Sequence, residues 1–187
     1  MKKIFATLIV LLTFAAQVEA AEFTRPQLDK IFFDAGQIQS SATLNLDAET
    51  FKKIFNERIT QILKAATGND DISAMEHLFL IKEEKIIGAT FTRVFGDYRT
   101  ALVGSLAADG NFKALNFYYT TPENGDESIF TIWLMTAFVK TIAPDVNPQT
   151  LMNELTAENS SGTTEAGGVK FSVDAQENLN VLTAAAP

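Results

Sequence analysis

"SIFTIWLMTAFVKTIAP", Ser128 to Pro144, holds the only Trp of the chain, and its reading decides the fold. From Ile129 to Ala143 only Thr131, Thr136, Lys140 and Thr141 interrupt the apolar residues, so a helix here is hydrophobic around most of its circumference. Such a helix needs an apolar surrounding, either lipid or protein. Its fifteen residues, at about 1.5 Å each, span roughly 22 Å, short of the ~30 Å hydrocarbon layer of a bilayer. Pro144 stops it, and Asp126, Glu127 and Asp145 flank it with charge. The segment therefore predicts a central core helix enclosed by polypeptide, with no stable membrane insertion.

What encloses it can be read on both sides. Upstream, "LDAETFKKIFNERITQILKAATGND" places Phe51, Ile54, Phe55, Ile59, Ile62, Leu63 and Ala66 at three- and four-residue steps, which predicts an amphipathic helix. Asp47 is its expected N-cap, and Gly68 its stop. From His77 to Thr121 the pattern turns β-rich. "HLFLIK" and "KIIGATFTRVF" read as strands about a reversal at Glu83 and Glu84, and "DYRTALVGSLA" meets "FKALNFYYTT" across the hairpin signal "ADGN". Downstream, "NPQTLMNELTAE" predicts a short helix capped by Asn147 with Pro148 in its first turn. "NSSGTTEAGG" reads as a loop whose Asn159 opens a sequon, and "GVKFSVDAQENLNVLTA" as a closing hairpin.

Helices segregated from consecutive antiparallel strands predict an α+β fold. The expectation is an antiparallel sheet of about five to six strands packed around the central apolar helix, with two further helices. The lead-in from Ala21 to Leu46 carries no clear pattern. This order of elements resembles that of several small exported bacterial α+β domains, inhibitor and immunity modules among them, without a motif that names a family.

The first twenty residues, "MKKIFATLIVLLTFAAQVEA", have the layout of a cleavable secretory signal: Lys2 and Lys3, an apolar stretch, then Val18 and Ala20 at the small-residue sites. The expected organisation is a signal peptide over 1–20 and a single α+β domain over 21–187, periplasmic or secreted after cleavage near Ala20. The chain has no Cys, so stability outside the cytoplasm would rest on packing and hydrogen bonds, without disulfides. Its formal charge is −8, and the leader would take two Lys and one Glu with it. An acidic chain without a Lys/Arg cluster is a poor nucleic-acid binder, since phosphates require cations.

Few chemistries remain. One His and no Cys leave no imidazole or thiolate set for a transition metal, and His77 at an expected strand start reads as a structural or surface residue. "GNDD" and "ENGDE" gather oxygen ligands but lack the spacing of an EF-hand loop, so no metal and no cofactor are expected. "VGSLA" around Ser105 lacks the second Gly of a nucleophile elbow. No catalytic residue is assigned. Tyr and Arg are residues that interfaces favour, and Arg93, Tyr98, Arg99 and Tyr118 are the candidate partner-binding set, weighed against their being ordinary sheet residues. Because side chains alternate along a strand, one of Tyr118 and Tyr119 should face the core and the other the outer sheet face. The expected function is that of an exported bacterial non-enzymatic binding domain for a protein or small-molecule ligand of the cell envelope, of inhibitor or immunity type. The alternatives are a carrier of a small apolar ligand held between sheet and helix, and a carboxylate-dependent hydrolase.

Overall fold

The computed structural model describes residues 22–35, 42–96, 98–156, 162–176 and 178–187. The expected leader over 1–20 and the Asn159 sequon lie outside them. In chain order the elements are α1 (Arg25–Ala35), α2 (Ala48–Thr67), α3 (Glu76–Phe79), β1 (Lys85–Ile87), β2 (Thr90–Val94), β3 (Thr100–Leu106), β4 (Phe112–Thr120), α4 (Gly125–Ile142), α5 (Pro148–Thr156), β5 (Thr163–Ala166), β6 (Val169–Gln176) and β7 (Leu179–Ala185). The fold is α+β. All seven strands form one antiparallel sheet in the order β1-β2-β3-β4-β7-β6-β5.

Local chemistry accounts for the helix ends. Asp47 caps α2 by accepting the Thr50 N–H at 2.8 Å, and Gly68 closes it in the left-handed region at φ 68°, where a Cβ is disfavoured. Asn124 caps α4 by accepting the N–H groups of Asp126 and Glu127, both at 3.1 Å, and these two carboxylates lie at the positive end of the helix dipole. Asn147 does the same for α5, with Pro148 as its first residue.

One face of the sheet carries the main core. Phe51, Phe55, Ile59 and Leu63 of α2, spaced by four, are fully buried there beside Leu134, Met135 and Phe138 of α4. Burying each such side chain contributes about 1.5–3 kcal/mol. The helix from Gly125 to Ile142 is thus covered by protein, as its composition predicts, and no helix among the described residues is long and apolar enough to cross a membrane. An irregularity between Ser105 and Leu106 in the β3–β4 pairing changes the geometry. Strict alternation would put Phe112 on the same face as Tyr118. The bulge instead turns Phe112 to the main core, where its ring meets Phe51 at 5.6 Å and Phe91 at 5.4 Å, both edge-on.

The opposite face is covered as well. Helix α1, drawn from the patternless lead-in, lays Ile31 and Leu28 against Ala101, Val103, Tyr118 and Val181. Phe23 N–H donates to the Tyr98 carbonyl at 2.9 Å, and the Gln27 amide donates to Asn178 Oδ1 at 2.9 Å, tying the start of α1 to that face. Every residue of β3 is consequently buried.

Four expectations are corrected. The sheet has seven strands, because "KIIGATFTRVF" is two strands joined through Gly88, whose φ of 60° permits the tight turn, and because "TTEA" inside the expected loop pairs with β6. "HLFLIK" is not a strand: His77 sits in the single turn of α3, and Leu80–Glu84 is irregular. The reversal at Glu83 and Glu84 is accordingly no β-hairpin. The two helices expected beyond the central one are joined by α1 and α3.

Candidate functional site

The irregular stretch from Leu80 to Glu84 runs along the outer edge of β2 and is pinned by side chains. The Asn56 amide of α2 grips Ile81 twice, donating to its carbonyl at 3.1 Å and accepting its N–H at 2.8 Å. Arg93 of β2 donates to the carbonyls of Leu80 at 3.0 Å and Glu83 at 3.3 Å. Lys52 of α2 pairs with Glu84 at 2.8 Å, and the two side chains are largely covered, 26% and 15% exposed. A segment without a ladder of its own is thereby held in place, because main-chain groups of Leu80, Ile81 and Glu83 find side-chain partners.

The result is an open cleft of about 690 Å³ lined by Phe32 of α1, Lys52, the run Lys82 to Lys85, and Thr92, Arg93 and Val94 of β2. Strand β1 pairs only with Thr90, Phe91 and Thr92, so it leaves β2 uncovered at Arg93 and Val94, where the cleft forms. Arg93 is half-buried, its guanidinium carbon 5.6 Å from the centre of the Phe95 ring, and its buried Nε has no hydrogen-bond partner among the described residues. Burial pulls its pKa down, while Glu83 and Glu84 nearby pull it up; the group stays a cation at neutral pH. Lys82 pairs with Glu76 at 2.9 Å. Lys85, exposed on the rim, makes no ion pair among the described residues.

The four residues singled out from the sequence fall in different surroundings. Arg93 lines the cleft. Tyr98 is 61% exposed in the turn between β2 and β3, at a φ of 55° that is uncommon for a residue with a Cβ. Arg99 pairs with Glu127, which also accepts from the Glu123 N–H, so this Arg fastens the β2–β3 turn to the start of α4. Tyr118 is buried. Its ring does lie on the face opposite Tyr119, as alternation requires, but α1 covers that face and Asn116 Nδ2 donates to its hydroxyl at 3.3 Å. An outward surface shared by Tyr98, Arg99 and Tyr118 is therefore not formed.

Lys52, Lys82, Lys85 and Phe32 were not anticipated as site residues. For Lys82 and Lys85 the local signal is the charged run Lys82-Glu83-Glu84-Lys85 between two apolar runs, which also fits a solvated turn. Their convergence with Lys52 and Phe32 is a tertiary fact.

Acidic groups do not converge comparably: no group of three or more His, Asp or Glu among the described residues could hold a metal ion. In "GNDD", Asp71 accepts the Ser73 N–H at 3.0 Å, and in "ENGDE" the polar groups close the cap of α4. Between sheet and helices, Phe51, Phe55, Phe91, Phe95, Phe112, Phe117, Phe138 and Phe171 are each at most 1% exposed, so their rings fill that layer. No protein-family model, no curated protein and no solved structure matches this chain.

Proposed function

We propose that the chain is an exported binding domain, periplasmic or secreted, whose recognition surface is the cleft at the β1–β2 edge. The secretory layout of residues 1–20 supports the address. The observation that carries the binding reading is the pinning of Leu80–Glu84 by Asn56, Arg93 and Lys52, which builds a preorganised concave surface out of irregular chain. Preorganisation lowers the ordering cost of association, and a concave site with a few fixed polar groups is the usual form of a binding site. A role as an inhibitor or immunity factor fits such a rigid surface.

The test is co-purification from envelope extract with the mature chain and with its Phe32→Ser and Lys85→Glu variants. Both positions are exposed, so the variants should fold as the parent does. The parent should retain a partner that both variants lose. A parent that stays alone under mild conditions, or a partner that both variants keep, refutes the cleft as recognition surface.

A further inference from the structure

The cleft's chemistry runs against that of the molecule around it. In a chain of formal charge −8, the lining carries four cations, Lys52, Lys82, Lys85 and Arg93, and two carboxylates, Glu83 and Glu84. Two of the cations are already paired, Lys52 with Glu84 and Lys82 with Glu76. Lys85 has no carboxylate bonded to it among the described residues. Arg93 uses its bonded N–H groups on main-chain carbonyls, and its Nε is buried with no acceptor among the described residues. The lining is therefore locally basic where the rest of the surface is acidic.

An apolar rim adjoins these cations. Phe32 is 41% exposed on the wall, Val94 stands beside it in the lining, and Ile87, 73% exposed, follows Lys85 on the same side of β1. A small anion would satisfy Lys85 and leave these side chains in water. A second copy of this acidic chain would bring its own negative field toward the molecule, an unfavourable approach. An acidic segment with apolar residues beside its carboxylates matches both parts at once, since a short segment can set its carboxylates against the basic lining without bringing a whole acidic surface with it.

Building on the cleft as recognition surface, we infer that its occupant is an acidic peptide segment of a protein partner, with a carboxylate at Lys85 and an apolar side chain against Phe32. The phenyl ring supplies contact area, and Lys85 supplies selection for charge.

Random linear peptides displayed on phage and panned against the mature chain test this directly, with Lys85→Glu and Phe32→Ser for comparison and inorganic phosphate as competitor. The expected result is enrichment of peptides rich in Asp and Glu with interspersed apolar residues. Their affinity should fall about tenfold or more on Lys85→Glu, since tenfold corresponds to about 1.4 kcal/mol. It should also weaken as salt rises. Enriched peptides that need Phe32 but are neutral or basic would overturn the acidic occupant and leave the cleft standing. Phosphate displacing the selected peptides completely at low concentration would reduce the site to a small-anion site and overturn the peptide. Peptides that bind both variants as they bind the parent, or no enrichment, would overturn it as well; binding indifferent to both positions removes the cleft reading with it.

Discussion

Replacing Gly104 by Ala should destabilise the protein, although in an open strand the same change would stabilise it. Gly104 lies in the middle of β3 opposite Leu115, one residue before the bulge that turns Phe112 into the main core. A Cβ placed there meets the Phe112 ring, with Cδ1 at 2.6 Å, and Leu115 Cδ2 at 2.9 Å. Carbon atoms prefer about 3.5–4.0 Å, so the ring must retreat by roughly 1 Å. It has nowhere easy to go, since Phe51 and Phe91 hold it edge-on and all three rings are fully buried. Overpacking of this kind costs about 1–3 kcal/mol, against a gain of about 0.5–1 kcal/mol from relieving a strand interior of Gly. Taken at mid-range, the expected net loss is about 1 kcal/mol, or about 2–4 °C in Tm for a domain of this size. Urea unfolding read by the fluorescence of Trp133, which packs against Phe79 at 5.9 Å, measures it as a lower midpoint at unchanged slope. Adding Phe112→Leu should make room, so Gly104→Ala should cost less in that background, with a coupling of about 0.5–3 kcal/mol. A midpoint at or above the parent's, or strict additivity of the two changes, would refute the close packing of Phe112 over Gly104.

Two pH dependences follow from named groups. Asp47, Asp71 and Asp109 have pKa values lowered in the fold, Asp47 chiefly by the Thr50 N–H, Asp71 by the Ser73 N–H and Asp109 by the Asn111 side-chain amide. Their contribution is present above the unfolded carboxylate value near 3.9 and is lost as pH falls through their lower folded values. The urea midpoint should drop between pH 5 and pH 3, less steeply in Asp109→Asn; equal slopes would count against the Asp109 contact. At the alkaline end, burial pushes the Tyr119 phenol up to about 12. Its contribution is complete below the unfolded value near 10 and is lost as pH rises through the folded one, because the unfolded chain releases that proton first. Tyr119→Phe should therefore lose less stability than the parent between pH 8 and pH 11, and parallel losses would exclude a buried, neutral Tyr119.

The elements legible in the sequence are those whose local and tertiary demands agree. Asp47 and Gly68 bracket a stripe spaced by four, and Asp109-Gly110 joins two apolar runs. Such signals act within a few residues. Helix α1 was illegible because its buried face is small: Ile31 is fully buried, while Phe32 and Phe33 on the same turn stay exposed. Its existence could nevertheless be inferred from its counterpart. "ALVGSL" and "ALNFYY" do not alternate between apolar and polar, and strands of that kind are buried on both faces. Such strands require a second layer, and the lead-in from Ala21 to Leu46 is the long stretch without a pattern of its own. His77 was misplaced for the opposite reason: "HLFL" has the composition of a strand, but Arg93 and Asn56 capture the main chain that follows and stop a ladder from forming. The cleft has no signature in the sequence, because its members come from α1, α2, the run leading into β1, β1 itself and β2, which no spacing rule connects.

The same two-sided burial explains why recognition would concentrate at the sheet's edge. β3, β4 and β7 form the middle of the sheet, between the main core on one face and α1 on the other; β3 is buried throughout, and β4 nearly so. A side chain changed there, such as Gly104, disturbs packing before it can alter a surface. At the β1 edge the ladder is only three pairs long, and Lys85, Ile86 and Ile87 are all exposed. A strand of three residues offers little ladder to another sheet, so the edge discourages indiscriminate strand addition. Under the proposed function, recognition would fall to side chains held by Leu80–Glu84 and Arg93. Stability and binding should thus separate by position: changes at Lys85 or Phe32 should leave the urea midpoint close to the parent's while altering binding. Arg93 should couple the two, because the guanidinium that faces the cleft also holds the segment that shapes it.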